Sequence, residues 1–238
     1  DRHLGYFSQG GLGLPDPAYY ARTDADTQAL VARYADYIRK ILVLTGVAAK
    51  DLERETALVL DLEKRIAASA RPLVELRDPK TNFAPVATAD LGKQYRNLQL
   101  DAFLKAQGVS DDTVSMANPA MFAQLDALVG SLKPAQWKTY LRWRVGDAMA
   151  PYLAKPWRDA AFDFRGKILL GQTEPAPRWQ QVLDAINLAA GPMLGREYAA
   201  RYLPDATRQQ ALAVATQVRD ALQRNVDNST WLGDAAKQ

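Results

Sequence analysis

A helical zinc-hydrolase site needs two histidines one turn apart, so that both imidazoles face the same ion. The 238-residue sequence contains a single histidine, His3, and no cysteine. It can therefore form neither a His-Glu-x-x-His site nor a thiolate metal site. We expect His3 to be a surface residue near a chain end, because termini are usually poorly ordered. We predict no metal ligand in this sequence.

Nucleophilic catalysis and phosphate binding have equally little support. A Ser-His-Asp arrangement would have to use His3, and no Gly-x-Ser-x-Gly turn is present. The glycines of residues 10–13 (GGLG) lack the following Lys-Ser/Thr of a phosphate loop, so we interpret them as a tight backbone path ahead of Pro15. Acidic pairs such as Asp111-Asp112 are interpreted as solvated surface charges. We predict no catalytic residue.

Aromatic and basic residues are interleaved in residues 137–144 (WKTYLRWR), a composition that single-strand nucleic-acid binders use. On a helix, Trp137 and Leu141 share one face, whereas Tyr140 and Trp143 share another. A helix that is apolar on two faces is usually packed between neighbours. The formal net charge of +3 comes from 30 basic and 27 acidic residues spread along the chain, which does not indicate a nucleic-acid partner. We therefore favour packing.

The composition is that of a soluble globular protein, with 48% hydrophobic and 24% charged residues. The length is sufficient for one large domain or two small ones. No apolar run is long enough to span a membrane. The start has neither an initiator Met nor the apolar segment of a signal peptide, so we expect an excised segment or a processed form.

Apolar residues recur three and four positions apart along most of the chain, which predicts helices. The predicted helices cover residues 24–45, 50–70, 88–95, 98–107, 156–170 and 178–202, with further helices starting at Asn118-Pro119, Pro134 and Asp205. Residues 77–87 are predicted to be a loop, and residues 109–116 the only strand. The predicted fold class is all-α: a single multi-helix domain over residues 1–238, with long helices and little or no strand.

The first two predicted helices are the best defined. Asp24 can cap the first helix and Gly46 can end it, with an apolar stripe from Leu30 to Val43 facing the core. The second helix turns Leu52, Val59, Leu62 and Ile66 inward and its charged residues outward, and Pro72 stops it. In residues 178–202, Gly191-Pro192 is expected to kink or split the helix.

Several short segments stand out as motifs along the chain. The most specific is residues 10–16 (GGLGLPD) followed by Tyr19-Tyr20. Others are Leu62-Glu63 with Ile66-Ala67, Arg77-Asp78-Pro79 with Asn82, Tyr140-Leu141-x-Trp143, Pro177-Arg178-Trp179 with Leu194-Gly195-x-x-Tyr198, and Trp231. In this order they resemble the N-terminal half of neprilysin-like (M13) zinc metallopeptidases. The sequence departs from vertebrate members after Arg178-Trp179, where a cysteine is expected, and this fits a bacterial, disulfide-free member.

The resemblance singles out ten candidate positions, which we expect to be structural or to lie at a domain junction. They are Gly11, Gly13, Pro15, Tyr19, Tyr20, Arg77, Asn82, Trp143, Arg178 and Trp179. The catalytic motifs of the family have no counterpart in this sequence, so no catalytic or zinc-binding residue is carried over. Substrate-binding residues are not identified.

The resemblance implies a zinc metalloendopeptidase that cleaves short peptides and is exported to the periplasm or cell envelope of a bacterium. This segment would be its non-catalytic lid, enclosing a chamber that excludes folded proteins. Zinc and the C-terminal catalytic domain, the main partner of this segment, would lie outside it, and an apolar patch is expected where that domain docks. The alternative is a free-standing helical interaction module without peptidase activity.

Overall fold

The computed structural model describes residues 4–237, so the prediction for His3 lies outside the described residues. The chain divides into two compact units, Asp1–Pro175 and Ala176–Gln238. Helices dominate both units, which confirms the predicted all-α class.

The described part of the first unit has seven α-helices and three short strands, together with four 3₁₀-helices and one π-helix. The helices are α1 (Ala25–Leu44), α2 (Ala49–Ala67), α3 (Thr88–Gln94), α4 (Leu100–Ala106), α5 (Pro119–Ser131), α6 (Pro134–Met149) and α7 (Lys155–Ala161), and the strands are β1 (Gly5–Phe7), β2 (Pro85–Ala87) and β3 (Thr113–Met116). The chain continues from α7 as a π-helix over Phe162–Leu169. The predicted single helix over residues 156–170 is therefore two segments of different helical type.

Local chemistry sets the helix ends where the sequence placed them. The Asp24 carboxylate accepts a hydrogen bond from the Thr27 backbone N–H and caps α1. Gly46 follows with a φ of 86°, a conformation in which a side chain would be strained. The Asn118 side chain caps α5 in the same manner, by accepting from the backbone N–H of Met121. These predictions are confirmed.

The three strands form a small sheet in the order β1-β3-β2, with β1 parallel and β2 antiparallel to β3. The strand predicted in residues 109–116 is confirmed over its second half, as β3, whereas residues 109–112 are not part of a strand. The prediction that it is the only strand is wrong, because β2 ends the supposed loop of residues 77–87 and β1 precedes the glycine-rich segment. Each added strand has only three residues, too few for an alternating pattern to be recognised.

The main core lies where α1 packs against α2, α6 and α7. Tyr37 is central: its ring stacks on Phe164 at 5.1 Å between centroids and meets Trp143 edge-on at 5.3 Å. The apolar stripe predicted on α1 is buried from Tyr34 to Leu42, whereas Leu30 is half-buried and Val43 is 51% exposed. A second, smaller core joins the sheet to α3, α4 and α5 through residues such as Leu91 and Met116.

The second unit consists of α8 (Arg178–Tyr202), α9 (Asp205–Asp227) and the short α10 (Asp234–Lys237). The predicted kink in α8 is confirmed: Ala190, just before Gly191-Pro192, has non-helical angles of φ −137° and ψ 21°. None of the described side chains of residues 176–237 is buried. No helix in residues 4–237 combines the length and apolar character needed to cross a bilayer.

Candidate functional site

The glycine-rich strap, residues 10–20, crosses the helical core of the first unit. Gly11 has a φ of 86°, and Gly13 is buried against the side chain of Tyr34. A Cβ atom on Gly13 would lie 1.7 Å from the Tyr34 hydroxyl oxygen, so only glycine fits there. The two glycines therefore serve a tight backbone path, as the sequence predicted.

The strap is fastened to a buried carboxyl group on α2. Glu63 is fully buried, and its Oε2 accepts hydrogen bonds from the hydroxyls of Tyr20 and Tyr34, both at 2.6 Å. Trp143 Nε1 donates to the other carboxyl oxygen at 3.4 Å. The Tyr20 hydroxyl in turn accepts from the Leu14 backbone N–H, which closes the link to the strap.

Burial controls the protonation of this cluster. Desolvation raises the pKa of the Glu63 carboxyl above its ordinary value of 4.5, although hydrogen bonds from Tyr20 and Tyr34 oppose the shift. The pKa of each tyrosine hydroxyl is also raised, first by burial and then by the charge of Glu63. Arg144 Nη1 lies 3.8 Å from Glu63, beyond hydrogen-bonding distance. Both tyrosines therefore remain donors at neutral pH.

A second carboxylate, Asp147 on α6, joins the same strap to the π-helix. Its Oδ1 accepts from the Tyr37 hydroxyl at 2.7 Å and from Arg165 Nε at 2.8 Å, and the second oxygen accepts from Arg165 Nη2. Arg165 Nη1 also donates to the Gly13 carbonyl at 3.3 Å. Glu63 thus binds the strap directly through Tyr20, whereas Asp147 acts on the strap through Arg165.

Four predicted positions meet in or beside this network, namely Gly11, Gly13, Tyr20 and Trp143. Tyr19 packs against the edge of the main core, while Pro15 is exposed. Sequence reasoning did not single out Glu63 as a site residue, and it placed the charged residues of α2 outside. The signal was available, since Glu63 shares the buried face of α2 with Val59, Leu62 and Ile66.

The loop positions Arg77 and Asn82 are not brought together. Asn82 donates to the Leu76 carbonyl at 2.7 Å and accepts from Arg71, whereas Arg77 is exposed. Arg71, which the sequence did not indicate, also donates to the carbonyls of Thr81 and Ala117, both at 2.9 Å. Arg71 is therefore the cation that organises this loop.

The remaining two positions lie at the start of α8 in the second unit. Arg178 donates to the Gln181 side chain at 3.3 Å, and Trp179 is 68% exposed. On α6, the interleaved aromatic segment has one covered face, because Trp143 and Tyr140 are buried, while Leu141 on the other face is 56% exposed. The sequence predicted that both apolar faces of this helix are packed. Within residues 4–175, this prediction is correct for the face that carries Tyr140 and Trp143.

The residues present do not fit a catalytic zinc ion. Such an ion requires three protein ligands from histidine and carboxylate side chains. The best-placed buried carboxyl groups, Glu63 and Asp147, already accept hydrogen bonds from tyrosine, tryptophan and arginine donors. Within residues 4–237, no group of three or more His, Cys, Asp or Glu side chains could share a metal ion.

The sequence model of peptidase family M13 matches residues 1–238. The chain belongs to family M13. Among its curated relatives, this M13 chain is 24% identical to neprilysin-3 of Drosophila melanogaster and 21% identical to mouse neprilysin, each match covering 100% of the chain. Those matches cover 32% and 34% of the relatives, so the chain spans about a third of their length.

Solved structures of bacterial proteins share the fold. The zinc metalloprotease Zmp1 of Mycobacterium tuberculosis, in complex with an inhibitor, gives a TM-score of 0.79 at 22% identity, covering 100% of this M13 chain and 36% of Zmp1. PepO of Lactobacillus rhamnosis gives a TM-score of 0.76 at 21% identity, covering 96% of this chain and 36% of PepO. The fold of this chain therefore matches 36% of each of these longer proteins.

Proposed function

We propose that this chain forms a helical, non-catalytic wall of a zinc metalloendopeptidase, which encloses the substrate chamber and limits substrate size. The observation that carries the proposal is the family match over the whole chain. The sequence has one histidine, so zinc and the hydrolytic groups must come from another part of the polypeptide. The proposed substrates are short peptides.

The chemistry of a metallopeptidase explains why a wall is needed. A metal-activated hydroxide can attack any amide bond presented to it, so selection by size depends on what surrounds the metal. Helices suit this purpose because they are long and locally rigid. Helices α1 and α9 contain 20 and 23 residues, which at about 1.5 Å per residue corresponds to roughly 30 and 35 Å.

Exposed apolar surface supports docking of a catalytic part. On α8 and α9, Trp179, Met193, Tyr198 and Leu212 are each more than 60% exposed. Soluble proteins rarely leave contiguous apolar surfaces uncovered, so such a surface indicates a binding partner. We propose the C-terminal catalytic domain of the same polypeptide as that partner, in an exported bacterial enzyme.

Comparison of two proteins tests the proposal: residues 1–238 alone and the product of the complete gene. We expect the complete product to bind zinc stoichiometrically and to cleave a fluorogenic peptide in an EDTA-sensitive manner, and residues 1–238 to do neither. EDTA-sensitive cleavage by residues 1–238 alone would overturn it. A gene that encodes no His-Glu-x-x-His motif would instead favour a free-standing interaction module.

The size limit needs its own measurement. The same cleavable sequence is offered once as a short free peptide and once inside a surface loop of a stably folded protein. We expect cleavage of the free peptide only, since a folded protein cannot enter an enclosed chamber. Equal cleavage rates for the two substrates would contradict a size-limiting wall.

A further inference from the structure

An open apolar groove of about 1020 Å³ runs along the outer side of α6 in the first unit. We call it the outer groove. Its lining includes Leu141, Val145 and Met149 of α6, with Trp137, Leu132 and Trp157 at its sides. It lies on the opposite side of α6 from the buried residues Tyr140 and Trp143.

The floor of the outer groove has the pattern of a helix-packing surface. Leu141, Val145 and Met149 are spaced four residues apart and are 56%, 61% and 44% exposed. Side chains at this spacing form a continuous ridge along a helix, and such a ridge packs into the groove between side chains of a second helix. A docked helix would remove all three side chains from water at once.

The charges of the outer groove define the occupant further. Lys138 and Arg142 line it, and no acidic residue among those described does. Glu55 lies 3.9 Å from Arg142 and offsets part of its positive charge. Lys138 therefore attracts an acidic occupant more strongly than Arg142 does. An occupant with carboxylates beside its apolar stripe is therefore favoured.

We propose that the outer groove binds an amphipathic, acidic-edged helix of the same polypeptide, from beyond residues 1–238. This rests on the proposed function, which makes the chain one part of a longer peptidase. The relatives and similar structures are about three times as long as the matched region, which leaves room for such a helix. A second copy of this chain fits less well, because the exposed helix α9 carries aspartate and arginine in balance.

Thiol labelling tests whether the groove is covered. The sequence has no cysteine, so single substitutions carry no background within residues 1–238. Val145→Cys places a thiol in the groove, and Ala102→Cys, exposed on α4 and outside the groove lining, is the control. In residues 1–238 alone, we expect both thiols to react with a maleimide at similar rates. In the complete gene product, we expect labelling at position 145 to slow at least tenfold and labelling at position 102 to stay within twofold.

Carbodiimide cross-linking tests the identity and charge of the occupant. We expect Lys138 in the complete gene product to be joined to an aspartate or glutamate from beyond residue 238, as identified by mass spectrometry. Lys93, which is exposed on α3, is the control and should give only local products. Cross-links of Lys138 between two copies of the chain, or none at all, would overturn the proposal.

The outcomes separate this inference from the proposed function. If the complete product is a zinc-dependent peptidase but position 145 reacts as fast as it does in residues 1–238, the proposed function stands and the groove helix is refuted. If the complete product has no peptidase activity, but position 145 is protected and Lys138 is cross-linked as expected, the proposed function is refuted and the groove helix stands. A gene that encodes no further polypeptide overturns both.

Discussion

The strap can pass close to the core at Gly13 because glycine has no Cβ atom. A side chain there would collide with the Tyr34 hydroxyl, whose oxygen is held at 2.6 Å from Glu63. Neither partner can move without breaking a buried hydrogen bond. Gly13 therefore leaves the hydrogen bonds from the tyrosine hydroxyls to Glu63 intact. This explains why residues 11–15 (GLGLP) have a glycine at this position.

We predict that Gly13→Ala lowers the free energy of unfolding of the first unit by about 1–3 kcal/mol, the usual cost of overpacking a core. Urea unfolding followed by circular dichroism measures it. The matched control is Gly10→Ala, since a Cβ at Gly10 meets nothing within 4 Å. Equal effects of the two substitutions would contradict the steric explanation.

The raised pKa of Glu63 makes stability depend on pH. Folded protein holds the proton more tightly than unfolded protein, so the contribution of Glu63 is fully present below the ordinary pKa of 4.5 and is lost as pH rises through the folded-state pKa. Glu63→Gln removes this dependence. We therefore predict that the variant gains stability relative to the native protein as pH increases from 4.5 upward.

Urea unfolding of both proteins at several pH values from 4.5 to neutral measures the difference. The control is Glu53→Gln, because Arg39 lowers the pKa of the exposed Glu53 carboxyl, chiefly through hydrogen bonds. Its contribution has the opposite sign: it is lost as pH falls. A pH-independent difference for Glu63→Gln would show that Glu63 is not shifted upward.

At the scale of elements, Asp147 joins α6 to the π-helix that follows α7. The carboxylate is buried and engages Arg165 through two nitrogens, while Tyr37 donates to it from α1. Three helical elements and the strap therefore share one charge pair. This link fixes the orientation of the π-helix. A π-helix is a rare type of helix that is usually only one turn long.

We predict that Asp147→Ala costs about 2 kcal/mol of unfolding free energy, less than for a fully buried pair because the Arg165 side chain is 34% exposed. The control is Asp159→Ala, which breaks the exposed pair of Asp159 with Lys155 and should cost less than about 0.5 kcal/mol. Chemical unfolding measures both. A similar cost for the two variants would contradict the structural role of Asp147.

At the scale of the whole molecule, the two units differ in what holds them together. The first unit has two cores of buried side chains. In the second unit, residues such as Leu188, Met193 and Leu222 are more than 60% exposed. Since burial of apolar surface must outweigh the loss of conformational entropy on folding, the second unit depends on further contacts for its stability.

We predict that residues 1–175 unfold cooperatively in urea as a separate protein, whereas residues 176–238 alone show a broad, weakly cooperative transition. Far-ultraviolet circular dichroism measures both, and binding of a hydrophobic dye reports the exposed surface of the second piece. A sharp, concentration-independent transition for residues 176–238 would show that this unit is self-sufficient.

The sequence by itself determined the helical class and most helix ends. Asp24, Gly46 and Asn118 act through hydrogen bonds and backbone angles within a few residues, so their effects are visible locally. The family resemblance is likewise a property of the sequence. The strands β1 and β2 were not predictable, because three-residue strands are selected by their pairing with β3 rather than by their own composition.

Only the tertiary structure decided which donors meet the buried carboxyl groups and which apolar faces are left open. Glu63 and Asp147 lie inside because tyrosine and arginine donors from distant segments converge on them, and no local pattern reports those partners. Leu141 and Val145 are apolar like core residues but are exposed, because within residues 4–175 no segment covers that side of α6. Burial depends on the whole arrangement of neighbours, whereas helix ends depend on adjacent residues.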